Sequence, residues 1–416
     1  MGAGTTPVSA GLGRRGLNIF PNNYNVGSVV SSSPRRIPRG YLWLALIFCV
    51  VVATEVAAAI SLQLVSNSAA RFLIWQPDLQ QIEQKWVAGQ WDDELGWPLP
   101  SEATTLLRDA SGAKFNPDFS AAETACVSAY GDSFVWGNDI PPRDGWVEQL
   151  ARKLGCRISN YGVSGYGVDQ AFLRFRRTVN DRAPTVILGI YPEAVLRNVN
   201  QYRALIGYPT HPAYLKGRFV IDDGGSLKWI ARPSVGREAF IKLNADPSAI
   251  VPGDYFLPDS RDGPVTPSFP YVLSAFRLVQ TPRLTTRFTG RPSWSEFFDA
   301  NHPSGAFPLT IALTEQFVRD AKGRGKRTLV VMLPGPGSFR GRIAFGAFEY
   351  APMVEALASR GIDVLDVGAA LFAQGLGNYC ELFAMPVECS GHFGVAGSAV
   401  VAEIVGKELG KRALID

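Results

Sequence analysis

Between residues 125 and 409, short apolar runs of strand length alternate with stretches in which apolar residues recur at helical spacing. The strand-like runs lie at 125–130, 157–161, 185–190, 328–333 and 363–367. The helical stretches lie at 144–154, 168–179, 309–322, 350–360 and 394–409. Strands that alternate with helices through short connections form parallel sheets that helices cover on both faces. The pattern therefore predicts an α/β fold, a three-layer sandwich with a central, flavodoxin-like parallel sheet.

This alternation is interrupted between about residues 203 and 304, a segment rich in Pro, Gly, Tyr, Phe and Trp. A loop of that length without secondary structure is uncommon in a compact domain. We therefore expect an insertion with short strands of its own. Because it follows the third strand, at the edge where parallel sheets bind ligands, it is a candidate lid or substrate wall.

One continuous apolar segment, Tyr41 to Val65, lies ahead of the α/β pattern. As a helix it would extend about 37 Å, enough to cross a hydrocarbon core of about 30 Å. Glu55 near its middle opposes insertion without outweighing the apolar residues, and the sequence assigns this acid no role. A cleaved signal peptide is the alternative. The basic segment and the apolar stretch are both too long for that class, which favours a retained signal anchor.

The net charge of +4 is concentrated at the N-terminus, because residues 1–40 hold five arginines and no acidic residue. The remainder carries a net charge of −1, so no nucleic-acid partner is indicated. Arginines ahead of the apolar segment predict a cytoplasmic N-terminus and an extracytoplasmic domain, periplasmic if the source is a Gram-negative bacterium. We expect a disordered basic cytoplasmic tail (1–40), a transmembrane helix (41–65), a connector (66–120) and an α/β domain with the insertion (121–416).

Four of the five cysteines, Cys126, Cys156, Cys380 and Cys389, lie in the predicted exported part. Four cysteines in an oxidising compartment suggest two disulfides, whose connectivity the sequence leaves open. Cys126 and Cys156 open two strands that a parallel sheet could place side by side, and Cys380 and Cys389 would close a short loop. We favour these two pairs. The alternative is that Cys126 and Cys156 are buried thiols.

Three sequence blocks carry the candidate chemistry: Gly-Asp-Ser at 131–133 after the first strand, Asn-Tyr-Gly-Val-Ser-Gly at 160–165 after the second, and Ser-Gly-His at 390–392 before the last helix. In this order they resemble the SGNH (GDSL-type) family of serine esterases, lipases and acyltransferases, over about residues 90–412. Leu-Gly-Trp at 95–97 is similar to an element of membrane-anchored family members. The resemblance implies an SGNH-hydrolase-like fold and acyl transfer through a serine.

The resemblance implies that Ser133 is the nucleophile, that His392 is its base, and that the backbone N–H groups of Ser133 and Gly165 form the oxyanion hole. A serine hydroxyl needs such a base and such donors to attack an ester. Taken alone, Gly-Asp-Ser favours an ordinary turn serine that caps the next segment. His302 is more typical of a structural turn than of a substrate contact. The sequence contains no metal-binding or nucleotide-binding motif, and no cofactor is expected.

The chain departs from the family pattern at two positions. The family usually has an Asp three residues before the catalytic His, where this chain has Cys389, and the nearest acid is Glu388. Either Glu388 orients His392, or a Ser–His dyad works alone, or activity is reduced or lost. An Asn side chain usually completes the oxyanion hole after the third strand. Ala194 stands near that place here, and Asn198 is the candidate replacement.

These features predict a membrane-anchored, extracytoplasmic serine esterase or O-acyltransferase that works through an acyl-enzyme. The expected substrate is an acyl ester of an envelope saccharide or of a lipid, and the expected membrane contact is one helix. The departures at Cys389 and Ala194 support an alternative of a different class. In it, the domain has little or no activity and binds a glycan or a protein partner.

Overall fold

The structure, a computed structural model, describes residues 38–68, 70–87, 91–97, 108–207, 213–375 and 377–415. Nearly all of the predicted basic tail lies outside the described residues. The chain divides after Val51 into two units, and the sheet, the insertion and the candidate site lie in the second.

The described strands are β1 (Val127–Tyr130), β2 (Ile158–Asn160), β3 (Thr185–Ile190), β4 (Arg218–Ile221), β5 (Leu227–Ile230), β6 (Arg327–Met332), β7 (Val364–Asp366), β8 (Phe383–Met385) and β9 (Ser390–Phe393). The described α-helices are α1 (Arg39–Ser66), α2 (Leu79–Gln84), α3 (Ser133–Trp136), α4 (Trp146–Leu154), α5 (Val168–Arg177), α6 (Ala194–Arg197), α7 (Ala204–Gly207), α8 (Arg237–Ala245), α9 (Tyr271–Gln280), α10 (Pro282–Thr289), α11 (Ala306–Gly323), α12 (Pro336–Phe345), α13 (Ala351–Ala358), α14 (Val367–Ala373) and α15 (Val395–Lys411).

Five strands form the central sheet in the order β2-β1-β3-β6-β7, and every neighbouring pair is parallel. Every residue of β1 and β3 is buried, as expected for strands covered on both faces. Helices pack in pairs around the sheet. Phe175 of α5 contacts Phe317 of α11 with ring centroids 4.7 Å apart, and Gln149 of α4 donates to the Val395 carbonyl at the start of α15. The predicted α/β fold class is confirmed.

Both favoured cysteine pairs are disulfide-bonded. Cys126 and Cys156 precede the paired strands β1 and β2, and their Cα atoms are 6.1 Å apart. Cys380 and Cys389 have Cα atoms 4.8 Å apart and flank β8 and the turn that leads into β9. The second bond therefore ties the turn of the hairpin that carries His392 to the segment just before β8.

The segment between about 203 and 304 has its own secondary structure. It holds one antiparallel hairpin, β4–β5, and is otherwise mainly helical, with α8, α9 and α10 as its longest elements. Sequence analysis expected short strands there. The helices were missed because the Pro and Gly residues that punctuate the segment obscure the short apolar periodicity of each helix.

Helix α1 covers the predicted apolar segment and, among the described residues, is the helix long and apolar enough to cross a membrane. Its C-terminal part packs against the insertion in a small second core. The buried members of that core are Leu62, Ala70, Leu73, Ile74, Val265 and Leu278.

Candidate active site

Ser133 lies just beyond the end of β1, at the edge of the sheet where the parallel strands end. It is the first residue of the short helix α3, and it is 6 % exposed. Asp132 caps this helix, because its Oδ1 accepts the Phe134 N–H at 2.9 Å. The Asp of the Gly-Asp-Ser block therefore fixes the turn that presents the serine hydroxyl.

Gly131 lets this turn pass directly beside the central strand. A Cβ at this position would lie 2.5 Å from the Gly189 carbonyl oxygen and 2.5 Å from Val135 Cγ2. The carbonyl belongs to β3 and cannot withdraw without disturbing the strand. The close approach of β1 to β3 at the nucleophile thus depends on the missing side chain.

Gly131→Ala is expected to destabilise the protein by about 1–3 kcal/mol, the usual cost of inserting a methyl group into a packed site. Urea unfolding of the full-length protein in detergent, followed by tryptophan emission, measures the change. Gly410→Ala is the control, because a Cβ there meets nothing within 4 Å in helix α15. Equal stability of the two variants would show that the tight turn at Gly131 is not required.

His392 lies on β9 and reaches the serine. Its Nε2 is 2.7 Å from Ser133 Oγ, within hydrogen-bond reach of the nucleophile. Phe134 packs against the imidazole, with ring centroids 4.7 Å apart. The structure thus brings together the two residues that the sequence blocks at 131–133 and 390–392 single out.

The carboxylate beside His392 belongs to Asp139. Its Oδ2 is 2.7 Å from His392 Nδ1 and also accepts the His392 backbone N–H at 3.1 Å. Asp139 has a φ of 68°, a left-handed conformation that Asp tolerates better than most residues. Glu388, the acid proposed from sequence, is exposed and is not the group at Nδ1. This corrects the sequence expectation, and the reason is that the turn after α3, not the hairpin, supplies the acid.

The pKa of the Asp139 carboxyl lies below its ordinary value. Partial burial raises it, but the hydrogen bonds from the His392 side chain and backbone, together with the charge of His392, lower it by more. Asp139 is therefore ionised throughout the neutral range and accepts the proton of Nδ1. That bond fixes the tautomer in which Nε2 is free to take a proton from Ser133.

Two backbone donors are available for an oxyanion. Within the described part of the chain, neither the Ser133 N–H nor the Gly165 N–H donates to another group. Gly165 has a φ of 80° and lies in the loop after β2. Asn198 is fully buried elsewhere: its Nδ2 donates to Thr310 Oγ1 at 2.8 Å, and its Oδ1 accepts the Asp169 N–H. Asn198 therefore braces α5 against α11, which corrects its expected place in the oxyanion hole.

A buried chain of charges holds Asp132 in place. Arg197 Nη1 lies 2.9 Å from Asp132 Oδ2, and Arg197 Nη2 lies 3.0 Å from Glu193 Oε2. The other carboxylate oxygen of Glu193 pairs with Arg203. Burial alone would raise the pKa of Glu193, but the charges of Arg197 and Arg203 bring it down to about 2. The loop after β3 is thereby tied to the nucleophile turn through Arg197.

A second buried cluster supports the same turn from the side of β2. Asn160 Nδ2 donates to the Val135 carbonyl at 2.9 Å and to Glu148 Oε1 at 2.8 Å. Lys114 pairs with Glu148 at 3.2 Å and donates to the Trp136 carbonyl at 2.6 Å. Asn160 and Lys114 therefore hold the backbone of α3 from this side.

Comparison with solved structures finds several similar chains, and two of them are given below. One is assigned to the lipolytic G-D-S-L family and comes from Desulfitobacterium hafniense (12 % identity, TM-score 0.32, covering 68 % of this chain and 97 % of that one). The other is a member of the lipolytic G-D-S-L family from Veillonella parvula (12 % identity, TM-score 0.33, covering 69 % and 98 %). No family model and no curated protein matches the sequence.

In the α/β fold described above, Ser133 follows β1 and His392 lies ahead of the last helix. Both identities are 12 % and both TM-scores lie below 0.5, so the chemistry of the site has to be argued from the geometry of this chain.

Aromatic side chains surround the candidate site. Trp97 donates to the Ser164 carbonyl at 2.9 Å and stacks on Tyr214 with ring centroids 4.4 Å apart, directly beside Gly165. On the other side, Tyr191 stacks on Phe134, and Trp294 packs edge-on against Tyr191. Tyr214 and Trp294 come from the insertion, which therefore contributes to the walls around the site.

His302 lies away from these residues, in the turn before α11. Its Nδ1 is 2.8 Å from Ser304 Oγ, and its ring packs against Phe297 and Tyr255. These contacts agree with the structural alternative. Ala194, which stands near the expected oxyanion-hole position, is buried at the start of α6.

Proposed function

We propose that this protein is a membrane-anchored serine hydrolase or O-acyltransferase that acts on acyl esters. The observation that carries the proposal is the continuous chain from Ser133 Oγ through His392 to Asp139, with both contacts at 2.7 Å. A serine, an imidazole and a carboxylate in this order form the arrangement that activates a serine for acyl transfer. The arrangement is recognised by its geometry and so does not depend on sequence similarity.

In the proposed reaction, Ser133 Oγ attacks the ester carbonyl while His392 Nε2 takes its proton. The Ser133 and Gly165 N–H groups stabilise the oxyanion. His392 then gives the proton to the leaving alcohol, which departs and leaves an acyl group on Ser133. Water or an acceptor hydroxyl loses its proton to His392, attacks the acyl-enzyme and releases the product, and Ser133 recovers the proton.

We infer that α1 anchors this domain with residues 66–416 outside the cytoplasm. Its length and composition suit a bilayer, and the arginines of residues 1–40 precede it. Two disulfides in the α/β domain suit an oxidising compartment. An anchored esterase would meet acyl esters of envelope saccharides or of lipids, which are the substrate classes we propose.

The proposal is tested by covalent labelling with a fluorophosphonate, which reacts with activated serines. Full-length protein in lipid nanodiscs is expected to be labelled, and Ser133→Ala and His392→Ala are expected to lose the label. Ser359→Ala is the matched control, because Ser359 is exposed at the end of α13 and its hydroxyl donates to the nearby Ala356 carbonyl. Hydrolysis of short-chain p-nitrophenyl esters should follow the same pattern.

Absence of Ser133-dependent labelling in folded wild-type protein would overturn the proposal and favour the glycan-binding or protein-binding alternative. One of the two reasons for that alternative was Cys389, and Asp139 now occupies the place of the missing carboxylate. The other reason, Ala194, stands. Hydrolase and transferase are separated by adding a saccharide acceptor and measuring whether its hydroxyl groups outcompete water for the acyl-enzyme.

A further inference from the structure

Glu55 has a partner far away in sequence. Its Oε2 accepts the backbone N–H of Tyr271, the first residue of α9, at 2.6 Å. Glu55 stands near the middle of α1, which extends from Arg39 to Ser66. A carboxylate at the N-terminus of a helix satisfies one of its free N–H groups and interacts favourably with the helix dipole. Helix α9 therefore begins beside the middle of the predicted transmembrane helix.

Helix α9 and the second half of α1 also meet in the small core. Leu278, near the C-terminal end of α9, is buried in the core that includes Leu62 of α1, and Tyr271 and Ala275 pack against the same core. Leu62 lies seven residues after Glu55 and Leu278 lies seven residues after Tyr271, a rise of about 10 Å in each helix at 1.5 Å per residue. From the Glu55–Tyr271 contact, the two helices therefore reach the shared core over equal lengths.

The outer face of α9 is apolar and exposed. The apolar residues on this face are 40 % to 60 % exposed to solvent, and they are Val272, Leu273, Phe276 and Val279. Phe269, just ahead of the helix, is 75 % exposed. Arg277 is the only charged residue of α9, and it lies in the last turn, at the end away from Glu55. A face of this kind on a water-exposed helix would be unusual, since soluble proteins rarely expose contiguous apolar patches.

The exposed apolar residues of the adjoining part of α1 indicate what covers this face. Val52, Val56, Ile60 and Leu64 are 43 % to 65 % exposed. If α1 spans a bilayer, these residues contact acyl chains, and a helix packed beside them from Glu55 to Ser66 lies in the same medium. The capped N-terminus of α9 removes an N–H that would otherwise be costly there.

We propose that α9 enters the outer leaflet beside α1, with its apolar face against acyl chains and with the Glu55–Tyr271 contact at its deepest point. The inference rests on the proposed anchoring by α1. It adds a second membrane contact, which belongs to the insertion that also contributes Tyr214 and Trp294 to the walls of the site. The domain is then held to the bilayer surface by two helices and cannot swing freely about one.

The test measures the depth of single nitroxide labels in nanodiscs by their collisions with oxygen, which concentrates in hydrocarbon, and with a water-soluble nickel chelate. Labels at Leu273→Cys and Phe276→Cys are placed in a Cys49→Ser background, because Cys49 is the free cysteine of the described chain. Ile60→Cys on α1 is the lipid reference, and Lys407→Cys, whose side chain is 75 % exposed on α15, is the water reference.

Labels on α9 are expected to collide with oxygen and to be shielded from the chelate, as at Ile60 and unlike Lys407. If they behave like Lys407 while Ile60 is shielded, the inference is overturned and the anchor stands. Chelate access at Ile60 itself would overturn the anchor, and the inference with it. Ser133 labelling by the fluorophosphonate is independent of all these outcomes.

The role of Glu55 is tested in the same system with the label at Phe276. Glu55→Leu removes the acceptor for the Tyr271 N–H and is expected to increase chelate collisions several-fold, whereas Glu55→Gln keeps an acceptor oxygen and should resemble the parent. Circular dichroism of each variant shows whether the fold is retained. Unchanged shielding in folded Glu55→Leu protein would show that Glu55 does not hold α9 at depth.

Discussion

Replacing Asp139 with asparagine is expected to lower kcat by about 10⁴-fold, the loss seen when the carboxylate of a serine–histidine pair becomes an amide. Asparagine keeps the size of the side chain, but an amide that donates to Nδ1 favours the wrong tautomer of His392. Nε2 would then carry the proton and could not accept one from Ser133, at the 2.7 Å contact that the reaction needs. The measurement is steady-state hydrolysis of a p-nitrophenyl ester.

Glu388→Gln is the matched control for Asp139→Asn. Both changes turn a carboxylate into an amide. Asp139 lies close to His392 in the structure, and Glu388 lies close to it in the sequence. Glu388 is exposed on the hairpin turn, so its variant should retain wild-type kcat. A large loss in Glu388→Gln together with a small loss in Asp139→Asn would contradict the assignment of the acid and restore the sequence-based expectation.

Replacing Arg197 with methionine is expected to lower the free energy of unfolding by about 3–5 kcal/mol, the cost of leaving a buried charge without its partner. Arg197 is 4 % exposed and pairs with Asp132 and Glu193 at once. Its removal leaves the buried Asp132 carboxylate without its ion-pair partner, whereas Glu193 keeps Arg203. Methionine and arginine have similar volumes, so the loss of stability reflects the missing charge more than a new cavity. Urea unfolding of the full-length protein measures it.

Arg319→Met is the control for this prediction, because Arg319 lies on the exposed face of α11 and bonds only to Gln316 there. Its effect should stay within about 0.5 kcal/mol. The folded fraction of Arg197→Met should also lose ester hydrolysis, since Asp132 then keeps its helix cap without the ion pair that orients it. Equal stability of the two variants would show that the buried network does not support the nucleophile turn.

The sheet and two members of the site could be predicted because local patterns determine them. The apolar runs give the strands, and the end of β1 gives the place of Ser133. The position of His392 before the last helix came from family resemblance. These features depend on short stretches of sequence, and the structure places Ser133 and His392 in contact.

Asp139 could not be predicted, because its contact with His392 joins residues 253 positions apart and depends on a left-handed turn at Asp139. Proximity in sequence pointed to Glu388 instead. Asn198 illustrates the same limit. Its position after the third strand predicts an oxyanion donor. Its side chain in fact bonds to Thr310, which lies on another helix. The partner of Glu55 was equally hidden, 216 residues away in the insertion.

The bond between Cys380 and Cys389 has a consequence for when the protein can act. His392 stands three residues after Cys389, which this bond ties to the segment just before β8. The cytoplasm keeps thiols reduced, so under the proposed topology the bond would form only after export, and until then the turn ahead of His392 would lack this covalent tie. Completion of the candidate site would then coincide with arrival in an oxidising compartment.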